Sequence, residues 1–176
     1  MGFIRNYFRE RALRSFRSRR PTGLVPIGQV RSASVLLDAE SPGFAECQAA
    51  VSEFFRSRGI KGQFFFLDLR PLGKKELLTT SITNTFLRKD LDMFGIPARE
   101  KLDRLAQDEP DLLLSLTDRD DFPVECIVCR STARFKVGRR QLRGNPFDLV
   151  VSDNGEEKVS QLRAFNEIIR FFEKIQ

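Results

Sequence analysis

The sequence predicts an α/β protein: a single doubly wound, mostly parallel sheet of about five strands with flanking helices, preceded by a basic N-terminal helix. Three observations carry this expectation. Short continuous apolar runs recur at residues 34–38, 63–68 and 111–118, the form a strand takes when both of its faces are covered. Segments of helical periodicity alternate with these runs, as parallel strands joined by crossover helices require. The charge is also confined: residues 1–20 hold seven arginines against Glu10, which gives +6, the net charge of the whole 176-residue chain. The division expected is therefore an arginine-rich helix and linker over 1–30 and an α/β body over 31–176 that is formally neutral.

The elements follow in order. Residues 2–19 read as a helix with Ile4, Phe8, Ala12 and Phe16 in one i, i+4 row, and Arg19-Arg20-Pro21-Thr22-Gly23 ends it, opening a linker to residue 31. The first strand is 34–38. A helix over 42–58 is opened by Ser41 as cap with Pro42 in the first turn and closed at Arg58-Gly59. The second strand is Gln63-Phe64-Phe65-Phe66-Leu67-Asp68. The pattern weakens between 71 and 95, where Thr79 to Thr85 has β-type residues and Asp92 to Pro97 resembles a helix or loop ending. A helix over 98–107, a strand over 111–118, a helix over 123–132 capped by Asp120 or Asp121, and strands over 134–139 and 147–152 follow. Residues 156–175 form a closing amphipathic helix with Leu162, Phe165, Ile168, Ile169, Phe172 and Ile175 inward.

Composition excludes much. With no His and no Trp, imidazole-based triads and His-ligated metal sites are absent, no specific reaction is legible, and no cofactor is expected. Three Cys is an odd number in a chain large enough for its own core, which points to free thiols in a reducing cytoplasm. No apolar run approaches the ~20 residues of a membrane span, and no signal-peptide pattern is present. The N-terminus imitates a mitochondrial transit peptide, but Glu10 and a sparse serine content at Ser15 and Ser18 fit that type poorly.

Four constellations could carry function. Asp38, Asp68, Asp118 and Asp153 each follow a proposed strand, at the carboxyl edge where open parallel sheets hold ligands; the competing reading is that each caps a helix or starts a turn. Cys126-Ile127-Val128-Cys129 puts two sulfurs on one helix face, as a packed pair, a redox pair or a metal site for which Cys47 is the remaining sulfur. Residues 130–143 contain six basic side chains and no acid, and Lys136, Arg139, Arg140 and Arg143 in or beside the loop Gly138 to Gly144 suit phosphate; the alternative is a solvated loop paired with the acidic run 108–121. On the N-terminal helix, Arg5, Arg9, Arg14, Arg17, Arg19 and Arg20 interleave with Phe and Tyr. That mixture fits RNA or a ribosomal surface, an anionic membrane surface, or a helix whose apolar row docks on its own body.

Two resemblances can be named. The segments Lys89-Asp90-Leu91-Asp92-Met93-Phe94-Gly95, Asp111 to Leu116, Ala133 to Gly138 and Phe147 to Val151 together resemble a small bacterial family of unknown function, over about 89–151. This implies an α/β fold and a cytoplasmic bacterial protein. The strand at 111–116 and Ser131 to Gly138 resemble the acceptor-side half of heptosyltransferase-type glycosyltransferases. Those enzymes use two such domains, and a chain with room for one inherits from the resemblance a fold and not an activity. The function expected is a non-enzymatic module whose N-terminal helix engages an anionic partner, RNA or ribosome first. The alternatives are an enzyme or ligand-binding domain that takes a phosphorylated or sugar ligand at the carboxyl edge, and peripheral membrane attachment through the N-terminal helix.

Overall fold

A computed structural model describes residues 2–71, 78–151 and 159–174. It contains helix α1 (Gly2–Phe16), strand β1 (Ser32–Asp38), α2 (Phe44–Arg58), β2 (Lys61–Asp68), β3 (Thr85–Leu87), α3 (Arg99–Gln107), β4 (Leu112–Ser115), α4 (Phe122–Arg130), β5 (Phe135–Gly138), β6 (Leu149–Val150) and α5 (Gln161–Lys174). Among the described residues six strands form one sheet, all parallel, in the order β3-β2-β1-β4-β5-β6. This is the doubly wound, Rossmann-type order, in which the winding reverses between β1 and β4.

The alternation of side chains along the strands sorts the core into two layers. Val35 and Leu37 of β1, Leu112 and Leu114 of β4, and Phe135 and Val137 of β5 face α2 and α5, where Val51, Phe55, Phe165, Ile168 and Phe172 are buried. Leu36, Phe65, Leu67, Phe86 and Leu113 face α3 and α4, meeting Leu102, Leu105, Val124, Ile127 and Val128. Because both faces are covered, the central strands show no polar alternation, which is why their apolar runs were readable.

The sixth strand, β3, is the element the sequence pattern misses. Thr85-Phe86-Leu87 is too short to show a period, and it pairs with β2 from Phe66 to Asp68. Lys101 on α3 holds this end by reaching both the Thr85 carbonyl and the Asp90 carboxylate. At α2 the expected cap is also corrected. The helix starts at Phe44 after Gly43 in the left-handed region (φ 76°), with no side-chain cap, and Ser41 contributes its carbonyl to the Phe44 amide. The close at Gly59 is as expected, with φ 66° and its amide on Arg56. At α4 the cap is Asp121, which accepts from the Val124 amide, with Pro123 in the first turn. The closing helix is described from Gln161 to Lys174; Asp153 and Ile175 lie outside the described residues.

Residues 17–31 are tied to the body rather than hanging free. α1 ends at Phe16, and the Ser18 amide donates to the Cys129 carbonyl (3.1 Å) and the Gly23 amide to the Arg134 carbonyl (2.9 Å). Val25, Ile27 and Val30 are buried in the α2/α5 layer.

Candidate nucleic-acid interface

α1 packs across α4. Its inward row is Ala12, Leu13 and Phe16, which meets Phe122, Cys126 and Ile96 in a small satellite core. The row predicted on sequence begins with Ile4 and Phe8, and here the docked part starts later: Ile4 is 60% exposed. Arg9 completes the contact. Its guanidinium lies 4.4 Å over the Phe122 ring and its Nε donates to the Phe94 carbonyl at 2.9 Å.

The turn that receives Arg9 is built around Asp92, whose carboxylate accepts from the Phe94 and Ile96 amides. Gly95 follows at φ 81°, and a Cβ there would stand 3.2 Å from the Arg9 guanidinium, so glycine serves both the backbone and the approach. The Phe94 ring stacks on Phe8 (4.7 Å, 22° between planes), and Phe8 meets Tyr7 edge-on (5.7 Å, 80°). A row of three rings thus runs from the body onto the helix.

The outward side of α1 is different in kind. Phe3, Tyr7 and Arg11 follow at i, i+4 spacing, Arg14 lies on the same side, and Arg14 reaches Glu10 at 3.9 Å. Phe3 is 86% and Tyr7 55% exposed, and Arg5, Arg11, Arg14, Arg17 and Arg19 are all exposed.

Two of the arginines expected to bind an anion are committed internally. Arg9 is the clamp just described, and Arg20 donates to the Glu109 and Thr132 carbonyls at 3.0 Å each. Arg11, absent from the expected set, belongs to the exposed face. The signal that would have found it is its i+4 relation to Tyr7.

The basic loop divides in the same way. Lys136 is a buried residue of β5, and its Nζ donates to the Val128 carbonyl at 3.0 Å. Burial pushes its ammonium below the ordinary lysine value, against the opposing pull of Cys129 and Asp148. Arg139 is also buried and donates to the Val159 carbonyl. The part Lys136 plays is structural, because the last carbonyls of a helix need donors. In α4, Ile127 accepts from the Ser131 amide, Val128 from Lys136 and Cys129 from the Ser18 amide. Arg140 and Arg143 remain exposed. Arg140 faces Asp120 at 3.3 Å. Arg143 lies close enough to Glu125 and Arg9 to act on both electrostatically, so this end of the loop adjoins α1.

At the carboxyl edge, Asp38 and Asp68 end β1 and β2, and Asp118 lies exposed three residues beyond β4. Asp68 is held by Arg70 through two hydrogen bonds of 2.9 and 2.7 Å. Asp38 accepts from the Glu40 amide, and its backbone is gripped on both sides by Gln161. Between β1 and β4, where a doubly wound sheet opens its crevice, stands Arg119. It pairs with Asp121 (2.6 Å), Glu40 (3.1 Å) and Asp38 (3.9 Å), and Glu40 in turn accepts from the Leu69 amide. Sequence reasoning passed over Arg119, though a lone base inside a run of six acids was a signal for an ion-pair hub.

The C-x-x-C pair sits on α4 with Cys126 buried and Cys129 half-buried. Burial raises both thiols, so neither has the stabilised thiolate that redox exchange needs. Among the described residues no group of three or more acids or thiols could hold a metal ion, and no helix is long and apolar enough to cross a membrane. An open groove of about 740 Å³ runs beside α3 and the end of α4, lined by Arg99, Asp103, Arg104, Gln107, Arg130 and Thr132. Its Arg130 is already paired with Asp103 at 2.6 Å.

Fold and surface together define a one-sheet α/β protein carrying an arginine- and aromatic-rich helix docked on its α3/α4 side. The chain belongs to a family of unknown function (DUF6913), whose model matches residues 3–175 and so covers the helix and the sheet alike. No curated protein and no solved structure matches it, which leaves the heptosyltransferase resemblance without a relative behind it.

Proposed function

We propose that this protein is a cytoplasmic RNA-binding module, of bacterial type, whose contact surface is the outward face of α1 with Arg143 beside it. The single observation that carries the reading is that docking uses Ala12, Leu13, Phe16 and Arg9, while Arg11 and Arg14 stay exposed on the side of the exposed Phe3 and Tyr7, with Arg5 exposed one turn before Arg9 and Arg17 and Arg19 exposed beyond the helix end. Guanidinium groups bond phosphate in pairs and stack on bases, and aromatic rings offer π-faces, so this mixture suits RNA. A membrane helix needs an apolar side free of charge. Here Ala12, Leu13 and Phe16 of the apolar row are spent on α4, Ile4 stays exposed, and the outward side is not free of charge, since Arg11 and Arg14 continue the line of Phe3 and Tyr7. Three free thiols accord with a reducing compartment.

Fluorescence anisotropy of labelled RNA against salt tests the reading. If four or five arginines each neutralise a phosphate, log K should fall against log salt with a slope of about −3 for a single strand. Arg11→Ala with Arg14→Ala should weaken binding at every salt concentration, while Arg56→Ala on α2 should not. Absence of binding at low salt would reject the proposal. Point changes are preferable to removing residues 1–20, because that deletion also strips Cys129 and Thr132 of their donors and bares Phe122.

A further inference from the structure

We infer that the RNA read by this surface is single-stranded, with unpaired bases stacking on Tyr7 and Phe3; the inference rests on the proposed function and narrows it. A duplex hides its base faces and offers mainly phosphates and sugar edges, so a duplex reader gains little from exposed rings. A single strand gains from both groups, because its phosphates follow a positive track while successive bases stack on aromatic side chains whatever their sequence. On α1 the two occur on one side: Phe3 is 86% and Tyr7 55% exposed, with Arg11 and Arg14 one and two turns beyond Tyr7.

The Tyr7 ring is also held in position. Tyr7 meets Phe8 edge-on at 5.7 Å, Phe8 stacks at 4.7 Å on Phe94, and Phe94 sits in the Asp92 turn whose carbonyl is fixed by Arg9. A platform ordered beforehand loses less side-chain freedom on binding than a mobile one. An interior origin does not account for these rings, since neither Phe3 nor Tyr7 belongs to any of the buried clusters.

The chain supplies its own reporter. Tyr7 is the single tyrosine and there is no tryptophan, so tyrosine emission from the full-length protein comes from this position alone. The experiment titrates full-length protein with an oligouridine of about twelve nucleotides, within the span one site of this kind covers, with a duplex RNA of equal length, and with anionic phosphatidylserine vesicles. Expected are quenching of Tyr7 by the single strand and weak or no quenching by the duplex. By anisotropy, Tyr7→Ala should lower single-strand affinity about fivefold or more while barely changing duplex binding, and Tyr7→Phe should keep most of it. Equal affinity for both RNAs with no effect of Tyr7→Ala would overturn the stacking inference and leave the proposed function standing. Binding to neither RNA would remove both, and a Tyr7 response to vesicles without any RNA binding would assign the surface to lipid.

Discussion

The guanidinium of Arg9 lies 4.4 Å above the ring of Phe122, joining a helix at the start of the chain to the first turn of α4. The same side chain donates to Phe94, so one residue fixes the helix, the turn and the aromatic row together. Its consequence for function is geometric: Arg9 turns inward, and the opposite side of α1 is thereby held outward.

Arg9→Ala should therefore loosen α1 without unfolding the sheet. Losing the cation–π contact and the hydrogen bond amounts to about 1–2 kcal/mol of local docking energy. Amide hydrogen exchange should quicken across Gly2–Phe16 and remain slow in β1, β2 and β4. Unchanged exchange in α1 would show that the apolar row alone suffices.

The aspartates ending β1 and β2 should answer to pH in opposite senses. The Arg70 hydrogen bonds hold the Asp68 carboxyl below its ordinary value of 3.8, so its stabilisation is present above that pH and is lost as pH falls through the depressed value. Asp38 is the reverse: burial raises it, against its bond from the Glu40 amide and the nearby Arg119. Its contribution is complete below 3.8 and declines as pH rises through the raised value. In melting experiments from pH 3 to 7, Asp68→Asn should cost about 1 kcal/mol at neutral pH, the low figure reflecting the half-exposed Arg70, and should flatten the acid limb. Asp38→Asn, which keeps an acceptor for the Glu40 amide, should cost little at neutral pH. Matching pH profiles for the two variants would contradict this assignment.

The three thiols should be slow to react in the folded protein. Burial pushes Cys47 up to about 11 and raises Cys126 and Cys129 as well. Labelling with a thiol-specific disulfide reagent at pH 8 should be far slower in native protein than in denaturant, with Cys129 the first of the α4 pair to react because it is the less buried. Fast native labelling of Cys126 would overturn the placement of α1 over it.

The parts of this fold legible in sequence are those where one physical demand acts alone. β1, β2 and β4 are covered on both faces and appear as unbroken apolar runs, and Gly59 closes α2 because only a left-handed residue fits there. β3 was not legible because three residues cannot show a period. Ser41-Pro42 has the composition of a helix start, yet the chain uses Gly43 instead, since two capping solutions compete within three residues. Among the basic residues, charge pattern alone separates neither Arg9 from Arg11 nor Lys136 from Arg143. Which cations turn inward depends on what lies opposite: a Phe122 ring for Arg9 and the orphan Val128 carbonyl for Lys136. For Lys136 one clue did exist, because an ionisable residue inside a strand covered on both faces must find an internal partner.

The central claim is that RNA meets the outward face of α1, and photo-crosslinking tests it most directly. Full-length protein bound to thiouridine-labelled single-stranded RNA is irradiated, digested and mapped by mass spectrometry. Crosslinks should concentrate at Phe3 and Tyr7 and in peptides from residues 2–16, with a minor set around Arg143. Crosslinks confined to the carboxyl edge near Arg119 or to the α2/α5 side would contradict the account.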